Sequence, residues 1–400
     1  MHEDFLPRVV REAIADTSWI RDMFLAASKA KELDPDSVFD FSIGNPILEP
    51  PSAVKEAMKQ LAASDEIGTH RYMNNQGLDS TRAWVAAALT AKHAEAFSKE
   101  HIVMCVGAGG GLSILLKAIL EGDDEVIFIA PHFIEYGSYV QSHGAHYRRA
   151  RCKEDFSLDL DAIAAQCTSK TRALIINAPN NPTGVVYSQV SLEGLANLLR
   201  AKSKGLRAPI LLISDEPYAK IVFDALECPS IFKFYEQSVV VTSCSKDIAL
   251  PGERIGYVAV SPHAYKADLI VLGMNTALRM LGFVNAPAFF QRLLPLVGNS
   301  CVDVSIYQHN RDLLYEHLTK VGFRCVKPQG AFYFFPQCPI ADDIAFVRDI
   351  AERYKVFTVP GTAFSGPGYF RISYCVPTEM IVASLPAFTA IAQQYHLGTA

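Results

Sequence analysis

Residues 239–257 read Val-Val-Val-Thr-Ser-Cys-Ser-Lys-Asp-Ile-Ala-Leu-Pro-Gly-Glu-Arg-Ile-Gly-Tyr. The opening valines predict a buried strand, and small polar residues then place Lys246 at its carboxyl end, where open α/β sheets collect catalytic groups. A lysine amine attacks carbonyl carbons when its surroundings lower its pKa, while Ser243, Ser245 and Arg254 suit a phosphate. The segment therefore predicts a lysine that forms a Schiff base with a phosphorylated aldehyde. The alternative is a solvated surface lysine.

Composition limits the class of protein. The chain has 400 residues, of which 50% are hydrophobic and 20% charged, so it can build a large packed core. A formal net charge of −5 argues against nucleic-acid binding, and the absence of a long apolar run or a signal-peptide pattern argues against a membrane partner. Nine scattered cysteines, without Cys-x-x-Cys or zinc spacing, predict reduced thiols and no metal site. We expect a cytoplasmic enzyme.

The order of elements indicates an α/β protein. Strands and helices alternate over roughly 100–260, which predicts a mainly parallel sheet with crossover helices. Apolar spacing predicts helices near 17–31 and 189–203, and the pattern changes to α+β from about 300.

A glycine-rich segment follows the apolar residues that begin at Ile102. Free amides at Ala108, Gly109 and Gly110, beside the positive end of a helix dipole, suit a phosphate. The segment matches neither the dinucleotide-binding fingerprint nor the P-loop. The alternative is that these glycines permit close packing of the helix.

Three other segments contain groups that suit a pyridine ring. Asp215 ends an apolar strand, with Tyr218 three residues later; its carboxylate can pair with a protonated ring nitrogen, although such acids are often helix caps. Asn181 lies in Asn-Asn-Pro-Thr-Gly after another buried strand, where turn residues are ordinary. Phe133 can stack on the ring, with core packing as the alternative.

Together these motifs resemble the class I/II aminotransferases, the fold-type I enzymes that use pyridoxal 5'-phosphate, and in particular their aspartate aminotransferase-like subgroup. The resemblance extends from about residue 18 to the C-terminal helix. Its motifs stand in the family's order: Tyr72, the glycine segment, Phe133, Asn181, Asp215 with Tyr218, Lys246 with Arg254, and Arg371. It implies a large cofactor-binding α/β domain over 49–295, with a mainly parallel seven-stranded sheet. A small α+β domain from 1–48 and 296–400 would close over the active site.

The resemblance also implies roles for the cofactor-binding residues. Lys246 would hold the cofactor as a Schiff base and move the substrate's proton, while Asp215 and Tyr218 act on the cofactor ring. Asn181 would donate to the ring's phenolic oxygen. Tyr72 would reach across a homodimer interface to the cofactor phosphate of the other subunit. Ser243, Ser245, Arg254 and the glycine segment would anchor the phosphate within the chain.

The substrate would be held by a second group. By the same resemblance Arg371 forks onto the substrate α-carboxylate, with Gly44 and Asn181 beside it. Arg279 has two interpretations: a surface guanidinium with a snorkelling stem, or a group that binds a second carboxylate in a neighbouring active site.

The function predicted in this way is transamination between an L-amino acid, with aspartate or glutamate favoured, and a 2-oxo acid such as 2-oxoglutarate. A β-eliminating C–S lyase is an alternative, because the same residues serve either bond cleavage. A cofactor-sensing regulator is a weaker alternative, since it needs a DNA-binding domain and few residues precede the first motif.

Overall fold

A seven-stranded sheet forms the centre of the molecule, and two smaller sheets lie outside it. The computed structural model describes residues 5–34, 37–93 and 96–398. Its strands are β1 (Phe39–Asp40), β2 (Ile102–Cys105), β3 (Glu125–Ala130), β4 (His146–Arg151), β5 (Thr171–Asn177), β6 (Leu211–Asp215), β7 (Ser238–Ser243), β8 (Gly256–Val260), β9 (Tyr333–Phe334), β10 (Val356–Phe357), β11 (Val359–Pro360) and β12 (Phe370–Ser373).

Helices cover both faces of the large sheet and build most of the remainder. They are α1 (Arg8–Leu33), α2 (Ser52–Ala62), α3 (Asp79–His93), α4 (Gly107–Ile119), α5 (Tyr136–Gln141), α6 (Leu160–Gln166), α7 (Gln189–Ser203), α8 (Ala267–Met280), α9 (Ala288–Val297), α10 (Val304–Lys320), α11 (Asp343–Tyr354) and α12 (Thr378–Gln394). Short 3₁₀ turns connect several of them.

The strands of the large sheet run in the order β2-β8-β7-β6-β5-β3-β4. All neighbours pair in parallel except those of β8, which is antiparallel to β2 and β7. The mainly parallel seven-stranded sheet predicted from the sequence is therefore confirmed. Strands β2 and β6 are buried at every residue, as expected where helices cover both faces of a sheet.

The pairing of β5, β6 and β7 brings polar residues together at one edge. Asn177 is in register with Asp215, and Asp215 with Val241, two residues before the end of β7. The carboxyl ends of parallel strands meet at the same edge of a sheet, so Asp215 and the segment that carries Lys246 face one crevice.

The N-terminal and C-terminal segments share a separate hydrophobic core. Strand β1 pairs in parallel with β10, while β11, β12 and β9 form an antiparallel sheet. Phe41 packs with Phe346, Phe370 and Phe388 in a cluster built mainly from these two ends of the chain. This arrangement supports the division into domains at residues 49 and 295, which stays a prediction.

Two elements differ from the sequence-based expectation. Helix α1 begins at Arg8, nine residues before the predicted start, although its N-cap position, Pro7, provides no side-chain hydrogen bond. Helix α4 begins at Gly107, so Ala108, Gly109 and Gly110 lie in its first turn instead of in a loop before it. Within the described part of the chain, no helix combines the length and apolarity that crossing a membrane requires.

Candidate active site

Lys246 lies in the loop after β7, with its amine directed into the crevice. Its Nζ donates a hydrogen bond of 2.8 Å to the carbonyl oxygen of Gly44. Burial lowers the pKa of Lys246 to about 8; a nearby thiol opposes this shift, and the positive charges of Arg371 and Arg254 add to it. An appreciable fraction of the amine is therefore neutral near pH 7, as a nucleophile or a general base requires.

Asp215 is buried at the end of β6 and keeps one oxygen without a partner. Its Oδ2 accepts a 2.6 Å hydrogen bond from the hydroxyl of Tyr136, whereas Oδ1 is buried and accepts none from the residues that the structure describes. Burial raises the pKa of Asp215 to about 7, and the Tyr136 hydrogen bond partly offsets this. A cationic N–H donor at Oδ1 would favour the ionised carboxylate.

Arg371 brings a buried positive charge to the same crevice. Its Nη1 donates to Oδ1 of Asn181 at 3.1 Å, and Nη2 to the carbonyl oxygen of Ser42 at 2.6 Å. The guanidinium carbon lies 4.7 Å from the ring centroids of both Tyr333 and Phe364. Within the described ranges Arg371 forms no ion pair, and its buried Nε donates to nothing. Burial lowers its pKa from the usual value.

Hydrogen bonds link these groups into one network. The hydroxyls of Tyr218 and Tyr333 lie 2.8 Å apart, with Arg371 stacked over the Tyr333 ring. The side chain of Asn177 donates to the backbone oxygen of Asp215 at 2.8 Å and accepts from the backbone N–H of Asn181 at 2.6 Å. The strand ends are therefore held rigidly relative to each other.

The start of α4 forms the other end of the crevice. No side chain caps this helix, whose first residue, Gly107, has φ +80°. A Cβ at Gly107 would lie 2.6 Å from Nη2 of Arg254, which donates to the carbonyl oxygen of Val106 at 3.3 Å. Arg254 thus packs against uncapped amides, and such a helix start with an arginine is a suitable anion site. Ser243 and Ser245 are buried on the adjoining segment.

The glycines of this turn also serve close packing. A Cβ on Gly110 would lie 2.5 Å from Cγ2 of Val106, and one on Gly109 would lie 2.8 Å from the hydroxyl of Tyr139. The phosphate and packing interpretations of the sequence are therefore compatible.

The crevice fits pyridoxal phosphate on three observations. Asp215 presents an unpartnered Oδ1 for a ring nitrogen, and Lys246 presents an amine with a lowered pKa for an aldehyde. The uncapped turn of α4 with Arg254 presents donors for a phosphate. Phe133 packs edge-on against Tyr136, with 5.5 Å between the ring centroids. Tyr136 in turn donates a hydrogen bond to Asp215, so Phe133 lies near that carboxylate.

Two predicted site residues lie apart from this network. Tyr72 is 88% exposed, and Arg279 is exposed near the C-terminal end of α8. Within the described residues neither side chain makes a hydrogen bond or ion pair with the cluster. The prediction that each serves a neighbouring subunit's site stays a prediction.

Sequence reasoning missed three residues of the network, and it identified Asn177 only as a donor at the end of its strand. The three are Ser42, Tyr136 and Tyr333. The tyrosines belong to aromatic runs whose pattern does not distinguish a core residue from a polar contact. Ser42 contributes a backbone oxygen, which leaves no signal in the residue type.

Comparisons with known proteins agree with this geometry. The family described as "Aminotransferase class I and II" matches residues 36–385. A probable aspartate aminotransferase of Methanocaldococcus jannaschii is 30% identical over 380 residues, which cover 90% of this chain and 98% of that protein.

Two solved structures are similar over nearly their whole length. An aminotransferase from Eubacterium rectale is 40% identical with a TM-score of 0.91, covering 94% of this chain and 95% of that one. The aspartate aminotransferase of Thermus thermophilus, solved with maleate, is 26% identical with a TM-score of 0.81, covering 92% and 96% respectively. These relatives are aminotransferases, which supports transamination over the lyase alternative.

Proposed function

Because the chain belongs to the class I and II aminotransferases, which depend on pyridoxal phosphate, we propose that its amino donor is a dicarboxylic L-amino acid, aspartate or glutamate. The acceptor is a 2-oxo acid such as 2-oxoglutarate. Relatives named as aspartate aminotransferases support the donor, and the Thermus thermophilus enzyme was solved with maleate, a dicarboxylate.

Arg371 is the observation that supports an amino-acid substrate, whereas the preference for a second carboxylate rests on the relatives. A buried guanidinium without a carboxylate partner is costly, and a substrate carboxylate offsets that cost by accepting two parallel hydrogen bonds. Asn181 and the backbone oxygen of Ser42 orient the fork, while the rings of Tyr333 and Phe364 hold its plane. The substrate's α-carboxylate would bind there, with its Cα toward Lys246.

The residues of the crevice divide the chemistry between them. When bound, pyridoxal phosphate supplies an electron sink for the electron pair left by a departing proton. The amine of Lys246 takes the proton from the substrate Cα and later returns one, and its carbonyl partner Gly44 orients it. Asp215 would keep the ring nitrogen protonated through Oδ1, and Tyr136 holds that carboxylate in place. Asn181 and Tyr218 would bind the ring's phenolic oxygen, and Arg254, Ser243, Ser245 and the α4 amides would hold the phosphate.

We also propose a homodimer in the cytoplasm. Tyr72 is 88% exposed, and α8 exposes Leu269, Leu272 and Met280, which suits contact with a second subunit. In such a dimer Tyr72 would contact the partner's cofactor phosphate, and Arg279 would read the second carboxylate of the partner's substrate. All nine cysteines are free thiols, which supports a reducing compartment.

Amino-donor kinetics test the substrate assignment. With 2-oxoglutarate as acceptor, we expect kcat/KM to be higher for aspartate than for alanine or phenylalanine. Arg371→Gln should raise KM for aspartate about 10- to 100-fold, because a charge-assisted hydrogen bond contributes ~1.5–3 kcal/mol. Arg353→Gln, which alters an exposed arginine paired with Asp349, is the control and should leave KM unchanged. A wild-type KM in Arg371→Gln would contradict the α-carboxylate site, and a kcat/KM for alanine or phenylalanine equal to or above that for aspartate would contradict the dicarboxylic donor.

A further inference from the structure

A cavity of about 540 Å³ lies behind the segment that carries Lys246. It is bounded by α3, by α9 and by the ends of β6 and β7, and its lining includes Thr242, Cys244 and Asp247. Neither Lys246 nor Arg371 lines it, whereas Ser243, one of the residues assigned to the phosphate, does. The cavity therefore adjoins the active-site crevice at the end of β7 but extends away from Lys246 and Arg371, and its volume suits a small organic molecule.

Aromatic and aliphatic side chains form most of its wall. Trp84 and Leu89 project from α3, Phe232 and Tyr257 close the opposite side, and Leu294 contributes from α9. Such a surface binds a planar apolar body, and aromatic rings also attract organic cations.

Two polar groups in this wall lack partners. Oε1 of Glu216 is buried and accepts no hydrogen bond from any residue described by the structure, and the same holds for Nδ1 of the buried His93. Burial raises the pKa of the Glu216 carboxyl to about 7 and lowers that of His93 to about 4, so the imidazole is neutral at pH 7. Unpartnered buried polar groups are costly, and a bound ligand can satisfy them.

The charges around the cavity favour a cation over an anion. Lys220 pairs with Asp247 at 3.0 Å, so these two charges compensate each other. Lys92 also lines the cavity; it is exposed and lowers the pKa of the Glu216 carboxyl through its charge, but it forms no ion pair with Glu216 among the described residues. Glu216 is therefore a carboxyl of the cavity wall without an ion-pair partner, and the complement of a carboxyl is a cationic N–H donor.

We propose that this cavity is a second ligand site, which binds a small planar organic cation such as an amidine or a protonated aromatic amine. The charged end of the ligand bonds to Glu216, and its apolar body lies against Trp84 and Leu89. Because Glu216 directly follows Asp215, and Thr242 and Cys244 flank Ser243, the site shares its backbone with the catalytic crevice.

Benzamidine is a suitable probe, since it is a planar aromatic cation that cannot serve as an amino donor. The chain has two tryptophans, so Trp19→Phe holoenzyme leaves Trp84 as the sole indole and its fluorescence reports on the cavity. We expect saturable binding by Trp84 fluorescence and by calorimetry. Benzyl alcohol, a neutral compound of similar size, should bind at least about tenfold more weakly.

Variants at the cavity locate the binding. Glu216→Gln should weaken benzamidine binding at least about tenfold, whereas Glu193→Gln, an equal charge change on exposed α7, should have no effect. Ala88→Phe on the lining surface of α3 should also weaken binding by filling space. The absence of saturable binding at millimolar benzamidine, equal affinity for benzyl alcohol, or unchanged affinity in Glu216→Gln would overturn the proposal.

Discussion

At the scale of single residues, Asp215 has a buried carboxylate oxygen without a hydrogen-bond donor, which a bound ligand can supply. Its Oδ1 is buried without a partner, although Tyr136 holds the other oxygen. The ionised carboxylate is therefore disfavoured in the apo form and favoured once a cationic N–H faces it. Removing the charge of Asp215 should therefore stabilise the protein without cofactor and impair the function of the protein with cofactor.

Asp215→Asn tests this opposition. The pKa is about 7 in the folded apo form and near 3.8 in the unfolded chain. The folded state thus keeps a proton that the unfolded state releases, so wild-type stability is full below pH 4 and is lost as pH rises toward 7. We expect Asp215→Asn to raise the free energy of unfolding of the apo form at pH 8 by as much as ~4 kcal/mol, and to change it little at pH 4.

The measurement is denaturant unfolding of both apo proteins at the two pH values. Holoenzyme turnover should fall about 10²-fold or more in the same variant, because the ring nitrogen loses its anionic partner. Equal stability differences at pH 4 and pH 8 would be inconsistent with a buried, uncompensated carboxylate.

Site residues could be predicted where a charged or polar residue type is unusual for its position in the sequence. Lys246, Asn181, Asp215 and Arg371 stand at strand ends or inside a strand where their charge or polarity is unexpected, so the sequence signals them. Tyr136 has no such signal, because its role depends on a contact with Asp215, 79 residues away. Side-chain contacts between distant segments are set by tertiary packing, which a local pattern does not contain.

At the scale of elements, the start of α4 combines an arginine with a glycine in the left-handed region of backbone conformation, which glycine adopts without strain. Gly107 adopts φ +80°, and a Cβ there would lie 2.6 Å from Nη2 of Arg254. Gly144 has nearly the same backbone, φ +79°, with no atom within 4 Å of a Cβ. A substitution at Gly144 therefore introduces backbone strain alone, whereas one at Gly107 introduces the same strain and also displaces Arg254.

Gly107→Ala and Gly144→Ala form a matched pair. Each should destabilise the fold by ~1–2 kcal/mol, the cost of a left-handed alanine. Only Gly107→Ala should weaken pyridoxal phosphate binding, by about tenfold or more, because Arg254 is pushed from the uncapped amides. Equilibrium dialysis of the cofactor distinguishes them, and equal affinities for the two variants would argue against a phosphate site at this turn.

Elements with a clear apolar period were predicted well. Helix α7 spans Gln189–Ser203, and its apolar positions bury Leu192, Leu195 and Leu199 on one face. Helix α1 begins nine residues before its predicted start because none of the described side chains in its first two turns is fully buried, so apolar spacing does not mark them. The order of strands in the sheet depends on crossovers and was not predicted, and the number of strands came only from the family resemblance.

At the scale of the whole molecule, the position of Tyr72 bears on assembly. Its side chain is 88% exposed and, among the described residues, makes no hydrogen bond with the site cluster of its own chain. If two subunits share their sites, loss of Tyr72 from one chain impairs the site in the other.

Mixed dimers test this exchange. A subunit carrying Lys246→Ala, combined with one carrying Tyr72→Ala, should regain one intact site per dimer, since the surviving lysine meets the partner's unaltered tyrosine. We expect about half of the wild-type activity, with wild-type cofactor affinity at that site. The matched control uses two subunits that both carry Tyr72→Ala. If the mixed dimer binds the cofactor no more tightly than this control dimer, Tyr72 does not contribute to the partner's site.

The central claim, transamination of a dicarboxylic amino acid at Lys246, is tested most directly by stoichiometry without an acceptor. Holoenzyme is mixed with aspartate or glutamate alone, and the 2-oxo acid and ammonia formed per subunit are counted. Transamination predicts one equivalent of 2-oxo acid per active site and no ammonia, because the amino group stays on the enzyme until an acceptor arrives. Lys246→Ala should give none. Continuing release of 2-oxo acid with ammonia, or no product from either dicarboxylic amino acid while a monocarboxylic one reacts, would contradict the account.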